Sequence, residues 1–379
     1  LALRIAMITP ETLPVPPVLG GAVQIYIDQV SRRLAKRHRI TIYTVASPVP
    51  DHNQGQGIEY IPLPKTDRET YLTEVTRAVA ARNYHILHVF NRPAFIPPLR
   101  NAAPHSKIIL NLHNDHLVQL RHDSIIKDCL KGADHFISNS NYTKVNLLTH
   151  FPQLTGRVTT IHLGIDPAAF PPRWKNRSAV RKIQKELGLP ERKVILFIGR
   201  LNTNKGPDIM LMAMKKVLRR HPQAMLLIAG SPQHGSEAET PYSKRLRQMV
   251  QGLENNVRFL GFVPPEDTPR LYLASNLLVC PSVWNEPFGR VNIEAMACGL
   301  PVVATARGGI IEAVRNGENG ILLPAPPDKN HLARAVNYLL DKPGIAEEMG
   351  RAGYRMVIRY FTWQRVVREI RAIYHSLLY

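Results

Sequence analysis

The sequence predicts an α/β protein made of two doubly wound parallel-sheet halves. Three observations carry that expectation. Short unbroken apolar runs recur along the chain, as in Leu277–Cys280, and read as strands buried on both faces. Amphipathic stretches of helical period separate them. A turn-rich stretch, Pro167–Pro172, shifts the composition and marks a domain boundary near Asp166. At 379 residues the chain suits two domains of ordinary size.

Composition narrows the class. A hydrophobic content of 44% is enough for real cores and excludes general disorder. No run reaches the roughly 18 apolar residues of a membrane span. The opening Leu1–Ile8 is too short for a signal peptide, has no small-residue cleavage site, and reads as the start of a strand. The three cysteines, Cys129, Cys280 and Cys298, are scattered and odd in number. They argue against a disulfide framework or a zinc site and fit small buried hydrophobes in a reducing cytoplasm. Lysine and arginine outnumber aspartate and glutamate by 49 to 29, a net charge of +20. That favours polyanionic or nucleotide partners, yet no nucleic-acid-binding module is recognisable. Basic clusters at Arg32, Arg33, Lys36, Arg37 and Arg39, and at Arg173–Lys185, read as solvated surface. Peripheral contact with an anionic membrane or polymer is the alternative.

In chain order, Leu3–Thr9 is a strand, and Gly20-Gly21 opens a helix over Ala22–Lys36 after a proline-rich loop. Strand, Gly-Gly turn and helix N-terminus together can cradle a phosphate. Ile40–Val45 and Ile58–Leu63 are strands around a loop at Asn53–Gly57, and Tyr71–Arg82 is a helix. Ile86–Phe90 is a strand ending beside Arg92, which can reach a phosphate or acceptor group or form a plain salt bridge. Lys107–Leu112 ends in His113-Asn114-Asp115. A histidine there is either structural or lines a ligand edge. Asp134–Ser138 is a strand, Ser140 begins a helix through His150, and Val158–His162 is the next strand.

The second half opens with a helix at Ala179–Leu187 and a strand at Val194–Ile198. Arg200 and Lys205 follow on one loop, framed by Gly199 and Gly206, before a helix from Pro207. Two cations so placed are either surface charge or a diphosphate site. Ala224–Ala229 is a strand, Pro232–Pro241 a loop and Tyr242–Leu253 a helix. The strand Val257–Leu260 exits through Phe262-Val263, and Asp267–Ala274 is a short helix. Leu277–Cys280 then leads into the motif Asn285-Glu286-Pro287-Phe288-Gly289, a helix at Arg290–Ala297, and the strand Leu300–Thr305. Glu286 falls on a loop at a strand's carboxyl end and Glu294 on the following helix. The N–H groups of Phe288 and Gly289 lie where a helix N-terminus favours an anion. Carboxylates beside them suit sugar hydroxyls, so the layout suits a phosphorylated sugar. Ile310–Val314, Ile321–Leu323, His331–Leu340, Ile345–Ile358 and Gln364–Leu378 complete the alternation.

Glu286 and Glu294, with seven residues between them, the first inside Pro281-Ser282 to Gly289 and the second followed by Ala295-Met296-Ala297-Cys298-Gly299-Leu300-Pro301-Val302, resemble the signature of the retaining family-4 glycosyltransferases. The resemblance extends over nearly the whole chain. It implies the GT-B fold, two Rossmann-like domains facing across a cleft. Residues 1–165, rejoined by the last helix at 363–379, would form the acceptor-side domain. Residues 166–362 would bind the nucleotide sugar. It implies a nucleotide-diphosphate sugar donor, UDP-sugars foremost, and a polysaccharide, lipid or protein acceptor. Arg200 and Lys205 would hold the diphosphate, with Gly20 and Gly21 capping it. Phe262 and Val263 would meet the base and Glu294 the ribose. Glu286, Phe288 and Gly289 would orient the sugar, and His113 would line the reaction centre. Arg92 and Asn114 are the acceptor-side candidates, and Trp363 is a packing anchor. No cofactor is implied, and no Asp-x-Asp stands in a cation-binding setting. Segments Thr9–Pro16, Gly20–Tyr26 and His88–Pro93 resemble the glycosyltransferases associated with bacterial spore coats. Two rivals share the architecture: another GT-B enzyme such as an epimerase or phosphorylase, and a non-catalytic spore-coat scaffold.

Overall fold

The computed structural model describes residues 2–47, 57–232 and 238–379; the loop expected at Asn53–Gly57 falls outside them but for Gly57, and half of the one expected at Pro232–Pro241 does. Among the described residues the strands form two sheets, one of seven strands and one of six. The chain divides into two compact units, one running to Gly164 and resuming at Trp363–Tyr379, the other spanning Ile165–Thr362.

The first unit holds β1 (Arg4–Ile8), β2 (Arg39–Val45), β3 (Ile58–Leu63), β4 (Ile86–Phe90), β5 (Lys107–Leu112), β6 (His135–Ser138) and β7 (Val158–Thr160). They lie in the order β3-β2-β1-β4-β5-β6-β7, with β1 and β4 paired in parallel from Ile5–Ile86 to Ile8–Val89. The chain order reverses between those two strands, and ligands of open α/β sheets gather at the carboxyl ends of such a pair. The central strands β1 and β4 are mainly apolar, as a doubly covered sheet requires, and β4 is buried at every position. The helix Trp363–Leu378 returns to this unit. Trp363 packs its ring edge-on to Tyr26 at 5.6 Å, and Tyr374 meets Nδ1 of His88 at 2.7 Å. Trp363 is therefore a packing residue.

The second unit holds β8 (Val194–Ile198), β9 (Met225–Ala229), β10 (Val257–Gly261), β11 (Leu277–Cys280), β12 (Val302–Thr305) and β13 (Gly320–Leu323). Their order is β10-β9-β8-β11-β12-β13, so the reversal falls between β8 and β11. Its core gathers buried residues of the sheet, such as Ile195, Leu226 and Val279, with Met214 and Val217 of the helix Pro207–Arg220 and Leu332 and Val336 of the helix Lys329–Asp341.

Several helices depart from expectation. The helix expected at Tyr71–Arg82 runs over Arg68–Ala80, because the Asp67 carboxylate caps it by accepting the N–H groups of Glu69 and Thr70 at 3.0 Å. The one expected at Tyr242–Leu253 ends at Gln248; Val250 and Leu253 are buried in turns beyond it. The first helix stops at Leu34, before the exposed Lys36 and Arg37. Helices at Ile96–Ala102 and Ile125–Gly132 were not foreseen. In the former, Pro97-Pro98 reads as a loop signal but occupies the first turn, where a missing N–H costs no helical bond.

Candidate active site

The loops after β8 and β11 meet at the reversal of the second sheet. The loop after β8 contains a single 3-10 turn, Thr203–Lys205, and ends at Gly206 with φ 66°. A Cβ on Gly206 would lie 2.3 Å from the Pro281 carbonyl oxygen, so glycine permits the contact. The Val283 N–H donates to the Asn204 carbonyl at 2.9 Å and ties the same loops. This closeness delivers Lys205 to Glu286.

Glu286 is buried, with only 4% of its surface exposed. Three donors converge on its Oε1: Lys205 Nζ in a short ion pair, Ser282 Oγ at 2.9 Å and Trp284 Nε1 at 2.9 Å. Its Oε2 has no protein partner among the described residues. The backbone is held as firmly. Gly309 N–H donates to the Glu286 carbonyl at 2.7 Å, and a Cβ on Gly308, whose φ is 55°, would fall 2.1 Å from that same oxygen. One carboxylate oxygen is thus anchored while the other is a fixed, available acceptor. The Lys205 ammonium also lies 5.6 Å from the centre of the Trp284 ring.

Glu294 sits on the helix Arg290–Ala297, whose N-cap is Gly289. It is buried, and both oxygens are engaged: Oε2 by the Tyr272 hydroxyl at 2.6 Å, Oε1 by Arg290 at 2.5 Å. Burial pushes the Tyr272 phenol well above its ordinary pKa, and the Glu294 charge and hydrogen bond push the same way, so the phenol remains the donor. Arg200 is exposed and has no ion-pair partner among the described residues. Phe262 and Val263 are half-buried beyond the end of β10. Gly199 N–H donates to Ala229 O at 3.0 Å and Gly230 N–H to Gly261 O at 2.7 Å, aligning the ends of β8, β9 and β10 on one edge. The Phe288 side chain is core, edge-on to Phe361 at 5.6 Å.

In the first unit, Gly20 and Gly21 precede the helix Ala22–Leu34 with Gly21 as its N-cap. Arg92 forms a salt bridge: its guanidinium binds Glu11 at 2.5 and 2.9 Å, and Arg68 binds the same carboxylate at 3.1 Å. The plain ion pair is therefore the arrangement present. Asn114 accepts the His116 N–H at 3.0 Å. His113 is buried at the end of β5, its N–H donating to Asn91 Oδ1 at 2.7 Å and its ring edge-on to Tyr26 at 4.7 Å. Neither ring nitrogen has a hydrogen-bond partner among the described residues. Burial lowers its pKa to about 3, so the ring is neutral near pH 7 and offers one donor and one acceptor.

Sequence reasoning missed Glu11, Tyr272 and Trp284. Glu11 was open to discovery, as a carboxylate just past the first strand. Trp284 carried the signal of an indole two residues before a glutamate; Tyr272, in another helix, carried none. The three cysteines are buried, and burial pushes the Cys280 thiol up to about 11. Among the described residues no three His, Cys, Asp or Glu side chains gather as a metal ion would need, and no helix is long and apolar enough to cross a membrane.

Known proteins share this organisation. Residues 20–169 match the family described as Glycosyltransferase Family 4, and residues 179–356 that described as Glycosyl transferases group 1. Spore coat protein SA of Bacillus subtilis is 34% identical over 99% of this chain and 100% of its own. The putative glycosyltransferase YtcC of Bacillus subtilis is 33% identical over 99% of this chain and 93% of its own. In fold, the chain is similar to Anabaena HepE, solved in complex with UDP and glucose, with a TM-score of 0.80 and 22% identity over 99% of this chain and 100% of that one.

Proposed function

This chain belongs to the family-4 glycosyltransferases of GT-B fold, and we propose that it transfers a sugar from a nucleotide-diphosphate sugar with retention of anomeric configuration. The observation that carries this reading is Glu286: Oε1 is anchored by three donors, Oε2 is open, and Lys205 and the exposed Arg200 stand on the adjoining loop. An open, fixed carboxylate oxygen suits sugar hydroxyls, and adjacent cations suit a diphosphate.

Arg200 and Lys205 neutralise the charge that grows on the leaving diphosphate, which removes the need for a divalent ion in that role. Glu286 Oε2 and the amides of Phe288 and Gly289 orient the sugar. Glu294, held by Tyr272 and Arg290, accepts the ribose hydroxyls with its remaining lone pairs. Phe262 and Val263 meet the base. In the first unit, Gly20 and Gly21 offer amides to the diphosphate, and neutral His113 hydrogen-bonds around the transferred sugar. Arg92 and Asn114 serve the acceptor side, Arg92 by fixing Glu11. The bond from the anomeric carbon to the phosphate oxygen breaks. The acceptor oxygen bonds to that carbon on the same face, and its proton passes to the departing phosphate.

The donor nucleotide favoured is UDP, supported by the UDP and glucose held in the HepE crystal. The acceptor is a cell-envelope or spore-coat glycan, lipid or protein, supported by likeness to spore coat protein SA. That same name supports a second reading, a coat protein without turnover.

Nucleotide release from UDP-, GDP- and ADP-sugars, with and without EDTA, separates the two. The enzyme reading expects EDTA-resistant release from one donor, lost in Glu286→Ala and Lys205→Ala. If no donor is cleaved and none raises the melting temperature, the coat reading replaces it.

A further inference from the structure

The second unit carries a cavity of ≈ 700 Å³ at the other edge of its sheet. Lys193, Leu277 and Pro301 line it, and they stand at the amino ends of β8, β11 and β12. Arg200, Lys205, Glu286 and Gly308 follow the carboxyl ends of the same three strands. The cavity is thus separated from the donor loops by the length of the strands. Its volume is in the range of small-molecule sites.

The lining combines an apolar body with unbalanced charge. Trp174, Val180 and Ala346 supply its accessible apolar surface, Trp174 held edge-on to Tyr354 at 5.3 Å with Arg351 over its ring at 4.6 Å. Arg177 and Arg181 stand one turn apart on the helix Arg177–Glu186, both exposed and both without an ion-pair partner among the described residues. Like charges at that spacing repel. Lys193 donates to the Leu340 carbonyl at 2.9 Å rather than to a carboxylate. The two acidic lining residues are neutralised by cations outside the lining: Asp341 by Arg220 at 2.7 Å, Glu347 by Arg351 at 2.7 Å. Positive charge beside an apolar cavity, with every local carboxylate already committed, is the complement of an anion with an apolar body.

We propose that this cavity binds a small phosphomonoester carrying an apolar or planar group, its phosphate held by the forks of Arg177 and Arg181 and its body seated against Ala346 and Trp174. Guanidinium forks match the phosphate oxygens in pairs, and arginine suits a site half out of water better than lysine. The site is distinct from the donor loops, so it does not depend on which donor the enzyme uses.

Calorimetric titration of the full chain with 1-naphthyl phosphate tests this, with 1-naphthol and inorganic phosphate as half-probes. The wild type is expected to bind the phosphate ester saturably and at least tenfold more tightly than either half-probe. Arg177→Ala/Arg181→Ala, two exposed positions whose replacement leaves the fold standing, should weaken binding at least tenfold. Ala346→Trp, which fills the cavity without removing a charge, should weaken it comparably, and Lys205→Ala should leave it unchanged. No saturable binding by the wild type, equal affinity in the double variant, or loss in Lys205→Ala would each overturn the proposal.

Discussion

At the reversal of the first sheet, Glu11 after β1 is bound by Arg92 after β4 and by Arg68, two guanidinium groups on one carboxylate. At the reversal of the second, Glu286 after β11 is bound by Lys205 after β8, and its other two donors, Ser282 and Trp284, are uncharged. Both devices tie the loops that leave two neighbouring, oppositely wound strands. They differ in what remains. Arg92 reaches Glu11 with two nitrogens, one on each carboxylate oxygen, and Arg68 adds a third contact, so both oxygens are used. The second crowds three donors onto Oε1 and leaves Oε2 without a partner among the described residues. A closed pair is suited to holding loops; an open one is suited to holding a ligand as well.

Substitutions should separate those roles. The largest effect is expected for Lys205→Ala: a loss of about 10²–10³ in kcat/KM, the scale of removing one charge-stabilising donor from a transition state, together with a lower melting temperature, because the buried Glu286 loses its cation. Steady-state nucleotide release and thermal melting check it together. Arg92→Ala should act chiefly on stability. Both partners' side chains are mostly buried, 13% and 9% exposed, and breaking such a pair costs about 3–5 kcal/mol of stability because it strands a buried charge. Urea denaturation would show it; retention of full stability would mean Glu11 is content without its partner. Gly308→Ala should cost about 1–3 kcal/mol through its positive φ, and should lower turnover by pushing on the Glu286 carbonyl.

Acid should act on the first unit through two groups. His113, with its pKa lowered to about 3 by burial, binds fewer protons folded than unfolded between that value and the ordinary histidine range. Stability contributed by its neutral form is present above the unfolded pKa and is lost as pH falls towards the folded one. Replacing His113 by Gln should reduce the acid-side slope of unfolding free energy by up to about 1.4 kcal/mol per pH unit near pH 5. Glu11 reinforces the trend at lower pH. Burial raises its pKa, but hydrogen bonds from Arg92, its own backbone and Arg68, with the Arg92 charge, outweigh burial and hold it below the carboxylate norm. That contribution vanishes as pH falls through the folded value.

The sequence was most legible where local pattern and burial agree. Ile58–Leu63 and Arg290–Ala297 read correctly because period, propensity and flanking turns point the same way. The helix Ile96–Ala102 was hidden because proline in a first turn and proline in a loop look alike along the chain. Taken alone, Glu286, Lys205 and Arg200 read as surface charge, and only the resemblance to family-4 glycosyltransferases set them together; the structure brings Lys205 to Glu286. What was not legible is which carboxylate oxygen stays open, since that follows from Ser282 and Trp284 folding back on one side of Glu286. The run Arg173–Lys185 read as solvated charge. Its meeting with Leu277 and Leu339 depends on tertiary packing that no local pattern encodes.

The most direct test of the open pair is the affinity for UDP, measured by calorimetry in wild type, Lys205→Ala and Arg68→Ala. Arg68 is the cleaner control in the first unit because its side chain is 55% exposed and its loss should leave the fold intact. The account predicts at least a tenfold loss of UDP affinity, about 1.4 kcal/mol, in Lys205→Ala and none in Arg68→Ala. UDP binding that survives the loss of Lys205, or that falls equally in both variants, would contradict it.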